Sequence, residues 1–172
     1  MQGKFISFEG TEGVGKTTAI EALITRLVDR GIQVVRTREP GGSELAEQLR
    51  QLFLNPNANM NADTEILLMF AARSDHLHQV ILPAIKSGKW VVSDRFFDST
   101  VAYQGFGRYH GKQAALAKIE LLIEQFVPIY PDVTLWLDLD VVTGMQRAAK
   151  RSAADRLEAN DIAFFERVYQ GL

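Results

Sequence analysis

A lysine and a threonine directly behind one glycine, with another glycine five residues earlier, form a spacing suited to polyphosphate. Gly10, Gly15, Lys16 and Thr17 fill the pattern G-x-x-x-x-G-K-[ST] within the run Gly10-Thr11-Glu12-Gly13-Val14-Gly15-Lys16-Thr17-Thr18. A backbone nearly bare of side chains lets several N–H groups point at phosphate oxygens, and a helix starting there adds the positive end of its dipole. Lys16 then bridges the β/γ-phosphates and the Thr17 hydroxyl takes a Mg²⁺ position. The bland alternative is a glycine-rich turn before an ordinary helix. The flanking pattern favours the phosphate loop: residues 4–9 alternate as a strand, and Ile20, Leu23, Ile24, Leu27 and Val28 keep helical spacing up to a stop at Gly31.

A second group of charges lies further along. Asp94 ends the apolar run around Trp90-Val91-Val92, where ligands of open α/β sheets gather, and it suits a Mg²⁺ carboxylate; its competing role is a helix N-cap. Arg95 would face the cleft, where its guanidinium fork binds phosphate in bidentate fashion. Glu9 either caps loop N–H groups or holds a metal-bound water. Arg147, Lys150 and Arg151 fall at i, i+3 and i+4 along one helical face, with Arg156 beyond them. That is an ordinary solvated helix, or the mobile basic lid of a phosphoryl-transfer site.

The elements that must position these residues alternate strand and helix throughout, which predicts an α/β fold with a mainly parallel sheet. A strand over Ile32–Thr37 leads into Arg38-Glu39-Pro40-Gly41-Gly42, and Ser43 caps a helix ending at Asn55-Pro56-Asn57. A long helix from Asp63 or Thr64 to Gly88 is expected to kink at Pro83. After the strand ending at Asp94 come a short helix over Phe97–Tyr103, a turn-rich Gln104-Gly-Phe-Gly-Arg108, a helix over Gln113–Phe126, a strand over Val133–Leu139, and helices over Val141–Lys150 and Asp161–Tyr169.

A chain of 172 residues, 47% hydrophobic, is sized for one domain, residues 1–172, and can bury a core without covalent staples. It has no cysteine and three scattered histidines, so thiolate metal sites are excluded and the expected metal is the Mg²⁺ that a nucleotide brings. No secretory leader or membrane-length apolar run is read, which fits a soluble cytoplasmic protein. The net charge of −2 gives no nucleic-acid footprint.

Together these motifs resemble bacterial thymidylate kinase over essentially the whole chain. The resemblance rests on Phe8-Glu9-Gly10 before the phosphate loop, Thr37-Arg38-Glu39-Pro40-Gly41-Gly42, Ala71-Ala72-Arg73, Asp94-Arg95-Phe96 with Ser99, Ala102-Tyr103-Gln104, and the ending Asp155-Arg156. It implies a three-layer P-loop fold with a lid at about 147–158, and transfer of the γ-phosphoryl of ATP to dTMP. Lys16, Arg95, Glu12, Arg147 and Arg151 would be catalytic. Glu9, Arg38, Pro40, Ser99, Thr100 and Gln104 would surround dTMP, Arg73 would bond the thymine, and Tyr103 would exclude a 2′-hydroxyl. Phe70 would stack on the base, with Met69 as its alternative. Glu12 in the loop together with a basic lid matches one of the family's two subtypes. The family also implies a homodimer and, beyond the last helix, a further strand and closing helix that this chain lacks. The competing readings are a uridylate or cytidylate kinase, a catalytically dead fragment, and a GTPase-type switch protein. The last requires an N-K-x-D segment, which does not occur.

Overall fold

In the computed structural model, residues 3–150 and 156–172 are described. Strands β1 (Phe5–Glu9), β2 (Val34–Arg38), β3 (Trp90–Asp94) and β4 (Val133–Trp136) form one sheet in the order β2-β3-β1-β4. Every pairing is parallel, with Phe5 opposite Val91 and Ile6 opposite Val133. Because helices cover both faces, β1 is buried at every position rather than at alternate ones. Phe5 and Val91 pack on one face with Ile66, Leu77, Ile81 and Ile119, while Ile6, Phe8 and Val92 pack on the other with Ile20 and Leu27. The result is the expected three-layer α/β/α arrangement. Among the described residues the sheet has four strands, and β4 is an edge strand exposed along its length.

The helices are α1 (Lys16–Val28), α2 (Glu44–Leu54), α3 (Ala62–His76), α4 (Leu82–Lys86), α5 (Phe97–Thr100), α6 (Gln113–Phe126), α7 (Val141–Ala149) and α8 (Ile162–Gln170). Ser43 caps α2 by accepting the Ala46 N–H, as its position predicts, and Asn61, Asp140 and Asp161 cap α3, α7 and α8 in the same way.

Two wide π-helical turns depart from expectation. The long helix expected between residue 63 and Gly88 is α3 and α4 joined by a π segment over Leu77–Ile81, so the irregularity precedes Pro83, which sits in the first turn of α4 where no N–H is required. The stretch expected to be turns after Tyr103 is instead a π-helix over Val101–Arg108. Its glycines admit neighbouring side chains: a Cβ at Gly105 would lie 2.8 Å from Leu116, and one at Gly107 2.6 Å from Phe164. Ala102 and Tyr103 in turn pack against Phe164, Phe165 and Val168 of α8.

Candidate functional site

The carboxyl ends of β1, β2 and β3 open into one cavity of about 460 Å³. The loop Glu12–Thr18 forms one end of it, and the loop after β2, the pair after β3, α3 and the second π-helix form the other.

At the loop end, left-handed backbone at Gly13 (φ 70°) and Gly15 (φ 99°) curls the chain around the start of α1. Gly13 also lies against α7, where a Cβ would meet the Gly144 carbonyl, and this contact brings Arg147 of α7 to the cavity wall. Lys16 folds back and donates to the Gly10 and Thr11 carbonyls, at 2.8 Å each. Burial, followed by the nearby Arg95 charge, brings its pKa down to about 7. Thr17 and Asp94 line the same cavity, and Asp94 Oδ1 is buried with no hydrogen-bond partner among the described residues. An orphaned buried carboxylate oxygen beside a phosphate loop fits a cation site, so Thr17 and Asp94 are the residues that would hold Mg²⁺.

The Lys16 shift would make the binding of a nucleoside triphosphate such as ATP a proton-linked event, since phosphate oxygens require the ammonium form. A lysine of pKa about 7 is mostly neutral at pH 8 and mostly charged at pH 6. Calorimetry at pH 8 in buffers of different ionisation heat should therefore show uptake of most of a proton on ATP binding, and a Lys16→Met variant should lose it. Binding without proton uptake at pH 8 in the parent protein would contradict this account of Lys16.

Opposite the loop, Arg95 stands in left-handed conformation at φ 72° and spreads both arms of its guanidinium. One arm donates to the Gly10 carbonyl at 2.8 Å and to Ser99 Oγ at 3.1 Å; the other donates to Glu12 Oε1 and the Tyr103 hydroxyl oxygen, each at 2.9 Å. Burial pushes the Tyr103 hydroxyl well above its usual pKa, so it remains a donor and bonds both oxygens of Glu12 at 2.7 and 2.6 Å. Glu9 is fully buried behind this group and accepts from the Phe96 N–H and from Ser99 Oγ at 2.7 and 2.5 Å. It therefore fixes the backbone after Arg95, and burial raises its pKa to about 7.

The far end of the cavity is built on α3. Arg73 donates from Nε to Glu39 at 2.7 Å and from Nη2 to Thr100 Oγ1 at 2.9 Å, and its Nη1 is buried with no partner among the described residues. Glu39 also meets His76 Nδ1 at 3.1 Å, whose Nε2 lies 2.6 Å from Thr37 Oγ1. The expectation that Phe70 faces a base is corrected. Met69 lines the cavity, whereas Phe70, about 100° further round the helix, packs in the core with Phe5 and Ile66. Arg38 and Pro40 are on the wall, with Arg38 paired to Glu47 at 2.9 Å.

The lid cations separate. Arg151 and Asp155 lie outside the described residues, and Lys150 is exposed just past α7. Arg156, expected to be a lid cation, instead donates to Glu65 Oε1 and to the Phe53 carbonyl, each at 2.7 Å. Glu65, buried on α3, also takes Arg108 and Gln104. Neither Glu65 nor Arg108 stood out in the sequence, because their pairing spans 43 residues and has no local spacing. His76 was missed for the same reason. The one available signal was the placement of Glu65 directly before the apolar run Ile66-Leu67-Leu68-Met69-Phe70.

A parallel α/β sheet carrying a phosphate loop, an orphaned buried carboxylate beside it and an arginine-rich pocket opposite defines a nucleotide-binding protein of the phosphate-loop class. The family model described as thymidylate kinase matches residues 8–172. Thymidylate kinase of a Psychrobacter species is 67% identical over 169 residues, covering 98% of this chain and 81% of that protein. That of Acinetobacter baumannii is 52% identical, covering 97% and 83%. The crystal structure of thymidylate kinase from Ehrlichia chaffeensis superposes with a TM-score of 0.80 at 34% identity, covering 99% of this chain and 85% of that one. This chain belongs to the thymidylate kinase family.

Proposed function

We propose that the protein transfers the γ-phosphoryl group of ATP to dTMP, giving dTDP and ADP. The observation that carries this reading is the pairing, in one cavity, of a phosphate loop with two arginines: Arg95, joined to Glu12 of that loop, and Arg73, whose buried Nη1 has no partner among the described residues. An oxygen of the acceptor phosphate forms a bond to the γ-phosphorus as the bond from that phosphorus to the β,γ-bridging oxygen breaks, and the electron pair leaves on ADP. Lys16 moves from the loop carbonyls to the β/γ-phosphates, and the loop N–H groups hold the charge that develops. Mg²⁺ bound by Thr17 and Asp94 would offset phosphate charge.

Arg95 exchanges Glu12 for the acceptor phosphate. Arg73 donates to a thymine carbonyl, Met69 packs on the base, and Tyr103 crowds the position of a 2′-hydroxyl. Arg147 holds ATP phosphates from α7, and Arg151 is the cation that closure brings to the transferred group. The protein is read as a cytoplasmic homodimer joined through the helices after β2 and β3, where Leu45 and Leu52 of α2 and Leu121 of α6 are exposed at 49%, 49% and 56%. No described helix is long and apolar enough to cross a membrane.

The deciding experiment is a coupled assay across dTMP, dUMP, UMP, CMP and AMP with ATP. The expected result is the highest kcat/KM for dTMP, with the ribonucleotides well below it. Preference for UMP or CMP would assign the acceptor pocket to another nucleoside monophosphate, and no turnover of any acceptor would refute the enzymatic reading.

A further inference from the structure

Gln104 lines the cavity next to Arg73 and Thr100, and its amide has two faces of opposite hydrogen-bonding sense: an N–H₂ that donates and a carbonyl that accepts. Which of them faces a bound base decides which bases fit. Gln104 Nε2 lies 3.2 Å from Glu65 Oε2. Glu65 is surrounded by donors, with Arg156 Nη1 2.7 Å from its Oε1 and Arg108 Nε 3.1 and 3.2 Å from its two oxygens. A carboxylate so placed can only accept, and it pins the Gln104 nitrogen towards itself.

We propose that Glu65 is a positioning residue for base selection, holding the Gln104 amide so that its carbonyl oxygen is the group offered to the base. This rests on the thymidylate reading of the cavity. With Arg73, whose buried Nη1 has no partner among the described residues, the arrangement would present one donor and one acceptor, the complement of an imide edge with its C4 carbonyl and N3–H. Cytosine reverses both groups, placing its amino group against a guanidinium and its N3 lone pair against a carbonyl.

Glu65→Gln is the informative variant. Its single carbonyl oxygen should stay where the closer Arg156 donor holds it, which turns the new N–H₂ towards residue 104 and inverts that amide. The expected result is that discrimination between dTMP and dCMP, as a ratio of kcat/KM values, narrows by at least about tenfold. Glu65→Asp keeps an acceptor-only group and should keep the ratio within about twofold, even if both rates fall. If Glu65→Gln folds and its ratio stays within twofold of the parent, the proposal is overturned, because loss of a merely structural contact would lower both substrates together. Nitrogen-15 spectra of the parent protein decide the matter should the variant not fold. The Gln104 side-chain N–H₂ should exchange slowly with solvent both free and with dTMP bound, and fast exchange in either state sinks the proposal. Turnover of dTMP by the parent separately tests the thymidylate reading, so failure of one is distinguishable from failure of the other.

Discussion

Replacing Lys16 with alanine is expected to lower the single-turnover rate at saturating ATP and dTMP by about 10³-fold or more, with the melting temperature held or raised. The first half follows from electrostatics. The ammonium is the side-chain cation of the phosphate loop, and counter-charges at a transferring phosphoryl group act in a cavity where water is sparse. The second half follows from the surroundings of Lys16, which is buried and whose pKa is brought down to about 7 by that burial. A charge destabilised by its surroundings is a cost to folding, only partly offset by two bonds to loop carbonyls. Stopped-flow single turnover together with thermal melting checks both halves. Activity within a few-fold of the parent would remove Lys16 from the site.

Arg95→Ala should be comparably severe but different in kind. Its guanidinium joins Gly10, Ser99, Glu12 and Tyr103 through four hydrogen bonds, so its removal leaves the Glu12 carboxylate facing the place proposed for the acceptor phosphate. Both ground-state binding and transfer then suffer: kcat/KM for dTMP should fall by about 10³-fold, divided between a higher KM and a lower kcat. The melting temperature should fall as well, since a part-buried carboxylate loses its cation. Arg95→Lys should recover little, because one ammonium cannot reproduce a two-armed fork. Steady-state kinetics over dTMP, with calorimetric dTMP titration, measures the division; unchanged dTMP affinity in Arg95→Ala would remove it from the acceptor pocket.

What could be read from the chain and what could not follow from the range of the interactions. The phosphate loop, the cap at Ser43, and the strand ending at Asp94 are written in residues a few positions apart, and the structure forms each where its spacing predicts. The part of the π-helix from Gln104 to Arg108 reads as turns in the sequence because Gly105 and Gly107 suggest unusual backbone. Their actual function is to admit Leu116 and Phe164, which no local pattern announces. Met69 and Phe70 show a finer limit. Neighbours on a helix point about 100° apart, so the choice between them depends on how α3 is rotated against the sheet, a tertiary property. The Glu65 cluster and the Glu39–His76–Thr37 chain join residues 37 to 91 positions apart, beyond any periodicity.

Glu12 sits on the Arg95 fork as a tethered occupant. Its carboxylate is carried on the same chain, so it competes there at an effective concentration on the order of millimolar or above. Free anions such as chloride or inorganic phosphate must outcompete it with a single weak contact, whereas a nucleotide brings a base and sugar to help displace it. If the acceptor phosphate takes the proposed place on Arg95, the loop acid would act there as a filter against small inorganic competitors, and the same exchange would free Tyr103 and Glu12 together.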